Sequence, residues 1–161
     1  MPGFLETPIT FSPFSFKKAD KLIVNSYHFQ KQMKKKFNME STMIYNPLNL
    51  KEIKKKAIIK INQKFIKKNY INIINVGRLT DQKNQILLLK AIKKIPKKIK
   101  INLLINGYGS LEAKLNFFIK KNKLSHRVNI IKEINNPYKY ISKFDLFILS
   151  SKYEGLPNVL L

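Results

Sequence analysis

The sequence predicts an α/β fold built on a parallel sheet. Three observations carry that expectation. Apolar runs of strand length alternate with segments of helical period along most of the chain. Several of the runs are unbroken, as in strands covered on both faces. The polar and glycine-bearing segments fall just after the strands, where parallel sheets bind their ligands.

The elements follow in order. Residues 21–25 (KLIVN) read as a strand, 27–37 (YHFQKQMKKKF) as a helix, and 41–45 (STMIY) as a strand stopped by Asn46-Pro47, which makes one β-α-β unit. Residues 48–70 are lysine-rich, without glycine or internal proline, and are expected to form a helical connection with little core of its own, separating an N-terminal segment, residues 1–47, from a C-terminal one, residues 71–161. The C-terminal segment is more regular. Strands are expected at 71–76, 100–105, 127–131 and 145–149, and helices at 84–95, 110–122 and within 136–143. Four parallel strands with helical crossovers make a Rossmann-like sheet.

A chain of 161 residues, 44% hydrophobic, can bury one ordinary domain, or one and a portion of another. The absence of cysteine excludes a disulfide scaffold, a thiolate metal site and a cysteine nucleophile, and suits a reducing cytoplasm. No signal-peptide pattern or membrane-length apolar run is visible, so a soluble or peripheral protein is expected. The net charge is +23, yet Arg78 and Arg127 are the only arginines among 32 basic residues. Lysine in excess, together with abundant Ile, Asn, Phe and Tyr, is what AT-rich codons produce. Solvated lysine faces are therefore the favoured reading, and an anionic membrane surface stays open. Nucleic acid is not expected as a partner, since neither arginine forks nor aromatic stacking platforms recur.

Four loop clusters follow strands. Gly77-Arg78-Leu79-Thr80-Asp81-Gln82-Lys83-Asn84 combines a glycine turn, an arginine fork and a lysine point charge at a helix start, which suits a diphosphate; two incidental cations in a lysine-rich chain remain the alternative. Asn106-Gly107-Tyr108-Gly109-Ser110 leads from strand to helix, with Ser110 as expected N-cap and Glu112 in the first turn. It lacks the third glycine and the ribose-binding acid of a dinucleotide fingerprint. Ser150 to Asn158 places Glu154 before Gly155 and Pro157 at a helix start, so that backbone N–H groups face the loop and the carboxylate can accept from sugar hydroxyls; a glutamate in a capping loop fits equally. Asn135-Asn136-Pro137-Tyr138 could border a nucleobase or simply turn the chain. His28 and His126 have no metal or triad spacing. The aspartates are Asp20, Asp81 and Asp145, with no D-x-D, so no metal and no cofactor are expected.

Taken together, GRLTDQKN, INGYGSLEAKL and NPYKYISKFDLFILSSKYEGLPNVLL resemble glycosyltransferase family four, over about residues 71–161, and especially its lipopolysaccharide, O-antigen and capsule branch. ADKLIVNS and MIYNPLNLKEI resemble the last β-α-β unit of that family's N-terminal domain and the passage into its C-terminal domain. The resemblance implies the GT-B fold of two facing Rossmann-like domains, and retaining transfer of a hexosyl unit from a nucleotide diphosphate sugar to a glycan or lipid-linked acceptor. It implies that Arg78 and Lys83 bind the donor diphosphate with Gly77 giving room, and that Gly107 belongs to the donor site. Glu154 is then the first, catalytic glutamate of the E-x7-E motif, with Gly155, Leu156, Pro157 and Asn158 supplying backbone amides. The second glutamate would fall one position beyond Leu161. The chain is accordingly expected to be an inactive fragment or, alternatively, a non-catalytic nucleotide-binding remnant.

Overall fold

The computed structural model describes residues 18–132 and 135–158. They divide into two compact units: residues up to Leu48 together with Tyr153–Asn158, and Asn49–Lys152.

In the first unit, β1 (Ile23–Val24) and β2 (Thr42–Met43) pair in parallel around helix α1 (Tyr27–Phe37). Ser26 caps α1 by accepting from the Phe29 N–H at 3.2 Å, and Asn38 ends it in the left-handed conformation at φ 51°. Val24 and Met33 supply its apolar centre. Among the described residues the two strands form a two-stranded sheet, and both are shorter than predicted.

The second unit is a four-stranded parallel sheet in the order β5-β4-β3-β6. Its strands are β3 (Ile71–Val76), β4 (Ile101–Asn106), β5 (Val128–Ile131) and β6 (Leu146–Phe147), and β3 and β4 pair along their full length from Ile71↔Ile101 to Val76↔Asn106. Helices α3 (Gln85–Lys94) and α4 (Glu112–Lys121) follow β3 and β4 in the same direction across the sheet, so right-handed crossovers put both on one face. There Leu88, Leu89, Ile92, Leu115 and Ile119 close over Ile73, Leu103 and Ile105 in one core. The connection through α5 (Tyr138–Ile141) runs back from β5 to β6 and covers the other face.

Of the 48–70 stretch, everything from Asn49 onward belongs to this unit. Helix α2 (Leu50–Ala57) starts at Asn49, whose side chain accepts from the Glu52 N–H at 3.1 Å. It buries no residue of its own and is held by its end: its Lys56 and Ala57 carbonyls accept from the Asn136 amide (3.0 Å) and the Ser142 hydroxyl (2.8 Å) beside α5. A 3₁₀ turn at Gln63–Phe65 then sets Phe65 edge-on to Tyr140. Asn102 donates to the Phe65 carbonyl at 2.8 Å and to the Asn72 amide oxygen at 2.9 Å, tying the stretch to the sheet.

Arg127 is buried. Its guanidinium donates to the carbonyls of Ile95, Pro96 and Ile99 at 2.9–3.0 Å and to Ile92 at 3.5 Å, capping the C-terminal end of α3. One of the two arginines is thus structural, a use that needs the planar fork. Among the described residues no helix is long and apolar enough to cross a membrane.

Candidate functional site

The loops that leave β3, β4 and β6 are knitted together at the carboxyl ends of the strands. The Gly77 N–H donates to the Asn106 carbonyl (3.1 Å), the Leu79 N–H to Tyr108 (2.8 Å) and the Leu111 N–H to Leu79 (3.0 Å), while the Gly107 N–H reaches Ile131 at 2.8 Å. The third loop joins through the Ser150 hydroxyl, which donates to the Lys83 carbonyl at 2.9 Å, and the Lys152 N–H, which donates to Gln82 at 2.8 Å. Lys152 also pairs with Asp81 at 2.5 Å. Both side chains are substantially exposed, so this pair is worth at most about 1 kcal/mol.

This closeness explains the glycines. A Cβ on Gly107 would lie 1.9 Å from the Gly77 carbonyl oxygen, and one on Gly109 would lie 2.5 Å from that of Leu79, so only glycine lets the two loops meet. The Lys83 methylenes lie 3.6 Å from the place a Gly77 Cβ would occupy, so this lysine runs alongside Gly77. Arg78 is exposed one residue on, and α3 begins two residues after Lys83. The structure therefore brings Gly77, Lys83 and Gly107 together, with Arg78 on the same loop.

Two features of this region were not read from the sequence. Gln85 is buried and donates to the Arg78 carbonyl at 3.0 Å, fixing the backbone of the arginine from inside the first turn of α3. We expect Gln85→Ala to lower stability by about 1–2 kcal/mol, which a thermal melt checks. Asn106 is fully buried, and neither of its side-chain amide atoms has a hydrogen-bond partner among the described residues.

Ser110 is not the N-cap of α4. The cap is Leu111, without a side-chain bond, because its N–H is committed to the Leu79 carbonyl and the helix starts only at Glu112. Glu112 does occupy the first turn and pairs with Lys132 at 3.0 Å. The Asn136 amide is spent on Lys56, which favours the turn-forming role for that cluster.

Glu154 to Asn158 lie in the first unit, beside the carboxyl ends of its two strands. A Cβ on Gly155 would be 3.4 Å from the Asn25 amide oxygen, and the Asn46 amide donates to that of Asn158 at 2.6 Å. Glu154, Leu156 and Pro157 are half-buried. The helix expected from Pro157 onward reaches residues 159–161, outside the described ones.

Arg78 and Lys83 stand on loops at the carboxyl ends of a parallel sheet, the edge at which such sheets bind ligands, and comparison with known proteins places the unit more closely. Residues 55–161 match the family described as glycosyl transferases group 1, and the chain belongs to that family. It is 33% identical over 151 residues to N-acetylgalactosamine-N,N'-diacetylbacillosaminyl-diphospho-undecaprenol 4-alpha-N-acetylgalactosaminyltransferase of Campylobacter jejuni, covering 91% of this chain and 39% of that protein. It is 31% identical over 156 residues to an uncharacterized glycosyltransferase of Methanocaldococcus jannaschii, covering 92% and 38%. The crystal structure of Anabaena HepE in complex with UDP shares its fold, with a TM-score of 0.73 at 18% identity over 96% of this chain and 47% of that one. The chain thus spans about two fifths of the length of the curated relatives it matches.

Proposed function

We propose that this chain carries the donor-nucleotide part of an enzyme that transfers a sugar from a nucleotide diphosphate to a lipid-linked or cell-surface glycan acceptor. The observation that carries the reading is the knitted loop cluster, which sets Lys83 alongside Gly77 and Arg78 next in the chain, beside the start of α3. Arg78 offers a bidentate fork for phosphate oxygens, Lys83 a point charge, and the start of α3 the partial positive charge of a helix N-terminus. As the glycosidic bond of a bound donor breaks, negative charge grows on the leaving diphosphate. Cations already in place stabilise it without reorganisation. Glu154 keeps its assignment as the carboxylate for donor sugar hydroxyls on the strength of its place in the EGLPN segment. The acceptor class rests on the name of the Campylobacter jejuni relative, an enzyme acting on a diphospho-undecaprenol-linked sugar.

Calorimetric titration of the chain with UDP, ADP and GDP tests the donor site. One of the three should bind, and Arg78→Ala or Lys83→Ala should weaken it by roughly tenfold or more, the scale of losing one charge-assisted bond. Undiminished affinity in both variants would remove these residues from the site.

A further inference from the structure

The outer face of α3 and α4 has a character that the donor site does not use. Between residues 85 and 123 the chain carries ten lysines, six from Lys90 to Lys100 and four from Lys114 to Lys123, and all ten are exposed. The one carboxylate in that stretch, Glu112, is paired with Lys132. Apolar groups stand among the cations rather than under them. Leu87 is 54% exposed and Phe117 is 65% exposed, and the Lys121 ammonium sits 5.7 Å from the centre of the Phe117 ring.

The spacing makes this a surface. On α3, Leu87, Lys90, Ala91 and Lys94 follow the i, i+3, i+4, i+7 pattern of one helix side, and on α4 Lys114, Phe117 and Lys121 do the same. Between the helices lies a groove of about 560 Å³, walled by Leu87, Ala91 and Phe118 and edged by Lys90, Lys93 and Lys94. Apolar side chains ringed by lysines, whose stems extend over apolar surface while their ammonium groups stay in the headgroup layer, match the requirements of an anionic bilayer interface.

We propose that the α3–α4 face is a docking surface for an anionic phospholipid membrane. Charge complementarity selects this occupant. A second copy of the chain would set the six lysines of the two helices, Lys90, Lys93, Lys94, Lys114, Lys120 and Lys121, against like charges. A nucleic acid would leave Leu87 and Phe117 unused and would find no arginine on the face for bidentate phosphate contacts. The proposal is independent of the donor site, since none of these residues lies in the loop cluster.

Co-sedimentation of the full chain with vesicles tests it. The chain should bind vesicles of phosphatidylcholine mixed with phosphatidylglycerol and should not bind phosphatidylcholine alone. Reversing three charges on the face (Lys90→Glu, Lys94→Glu, Lys121→Glu) should lower partitioning about a hundredfold or more, and Leu87→Ser with Phe117→Ser about tenfold. Reversing three exposed lysines on α2 (Lys51→Glu, Lys54→Glu, Lys55→Glu) makes the same change in net charge and should alter partitioning by no more than about threefold. All substituted residues are exposed, so an unchanged circular dichroism spectrum accompanies each result. Equal losses from the α2 and α3–α4 reversals would overturn the proposal in favour of bulk charge. So would equal binding to both vesicle types, or binding to duplex DNA that survives physiological salt and is untouched by the serine substitutions.

Discussion

Gly107→Ala is expected to destabilise the Asn49–Lys152 unit by more than about 3 kcal/mol, beyond the usual range for an overpacked core. The added Cβ would lie 1.9 Å from the Gly77 carbonyl oxygen, and the obstacle is backbone, which cannot swing aside like a side-chain tip. Relief would require parting the loops after β3 and β4, breaking the bonds from Gly77 N–H to Asn106 and from Leu79 N–H to Tyr108. For a unit of this size the loss corresponds to a fall in melting temperature of more than about 12 °C. Gly155→Ala is the control. Its Cβ would meet the Asn25 amide oxygen at 3.4 Å, ordinary contact, and the expected change is within about 0.5 kcal/mol. Melting curves followed by circular dichroism decide the matter, and a Gly107→Ala protein as stable as the parent would show that the loops do not approach this closely.

The second large effect belongs to Arg127. Replacing it with alanine removes the donors to Ile92, Ile95, Pro96 and Ile99 and leaves a space where the buried guanidinium stood. Hydrogen bonds from a charged donor are worth about 1.5–3 kcal/mol each and are not additive, so a total loss of about 2–4 kcal/mol is expected. Arg127→Lys retains the charge but cannot span several carbonyls at once, and should recover less than half of the loss. Urea unfolding of the three proteins measures this. Full recovery by lysine would mean that charge at the end of α3, rather than the fork, is what matters.

Much of the fold was legible because the signals are local. The INIINV run is a strand from end to end, the strand read at 100–105 runs one residue further on as Ile101–Asn106, and YHFQKQMKKKF is a helix over the whole stretch read as one. The start of α4 was misread because Ser110 has the right chemistry for a cap; its place in the chain was decided instead by the Leu79 carbonyl, thirty-odd residues away, which holds the Leu111 N–H. The candidate site was readable as a set of loop residues after strands. The buried Gln85 support and the enclosed Asn106 amide were not, because a polar residue at a strand or helix end gives no local sign of being buried.

The order of strands and helices, the carboxyl-end loops that bear Arg78, Lys83 and Glu154, and the membership of the glycosyl transferases group 1 family follow from the sequence alone, since periodicity and motif spacing are properties of neighbouring residues. Tertiary structure decided what each exceptional residue is for. It made Gly107 the point where one loop passes over another, turned Arg127 into the cap of a helix about thirty residues upstream, and gathered the lysines of α3 and α4 onto one face with Leu87 and Phe117 among them. These roles depend on which distant backbone groups and side chains come within a few ångströms, and that proximity exists only once the crossovers have packed against the sheet.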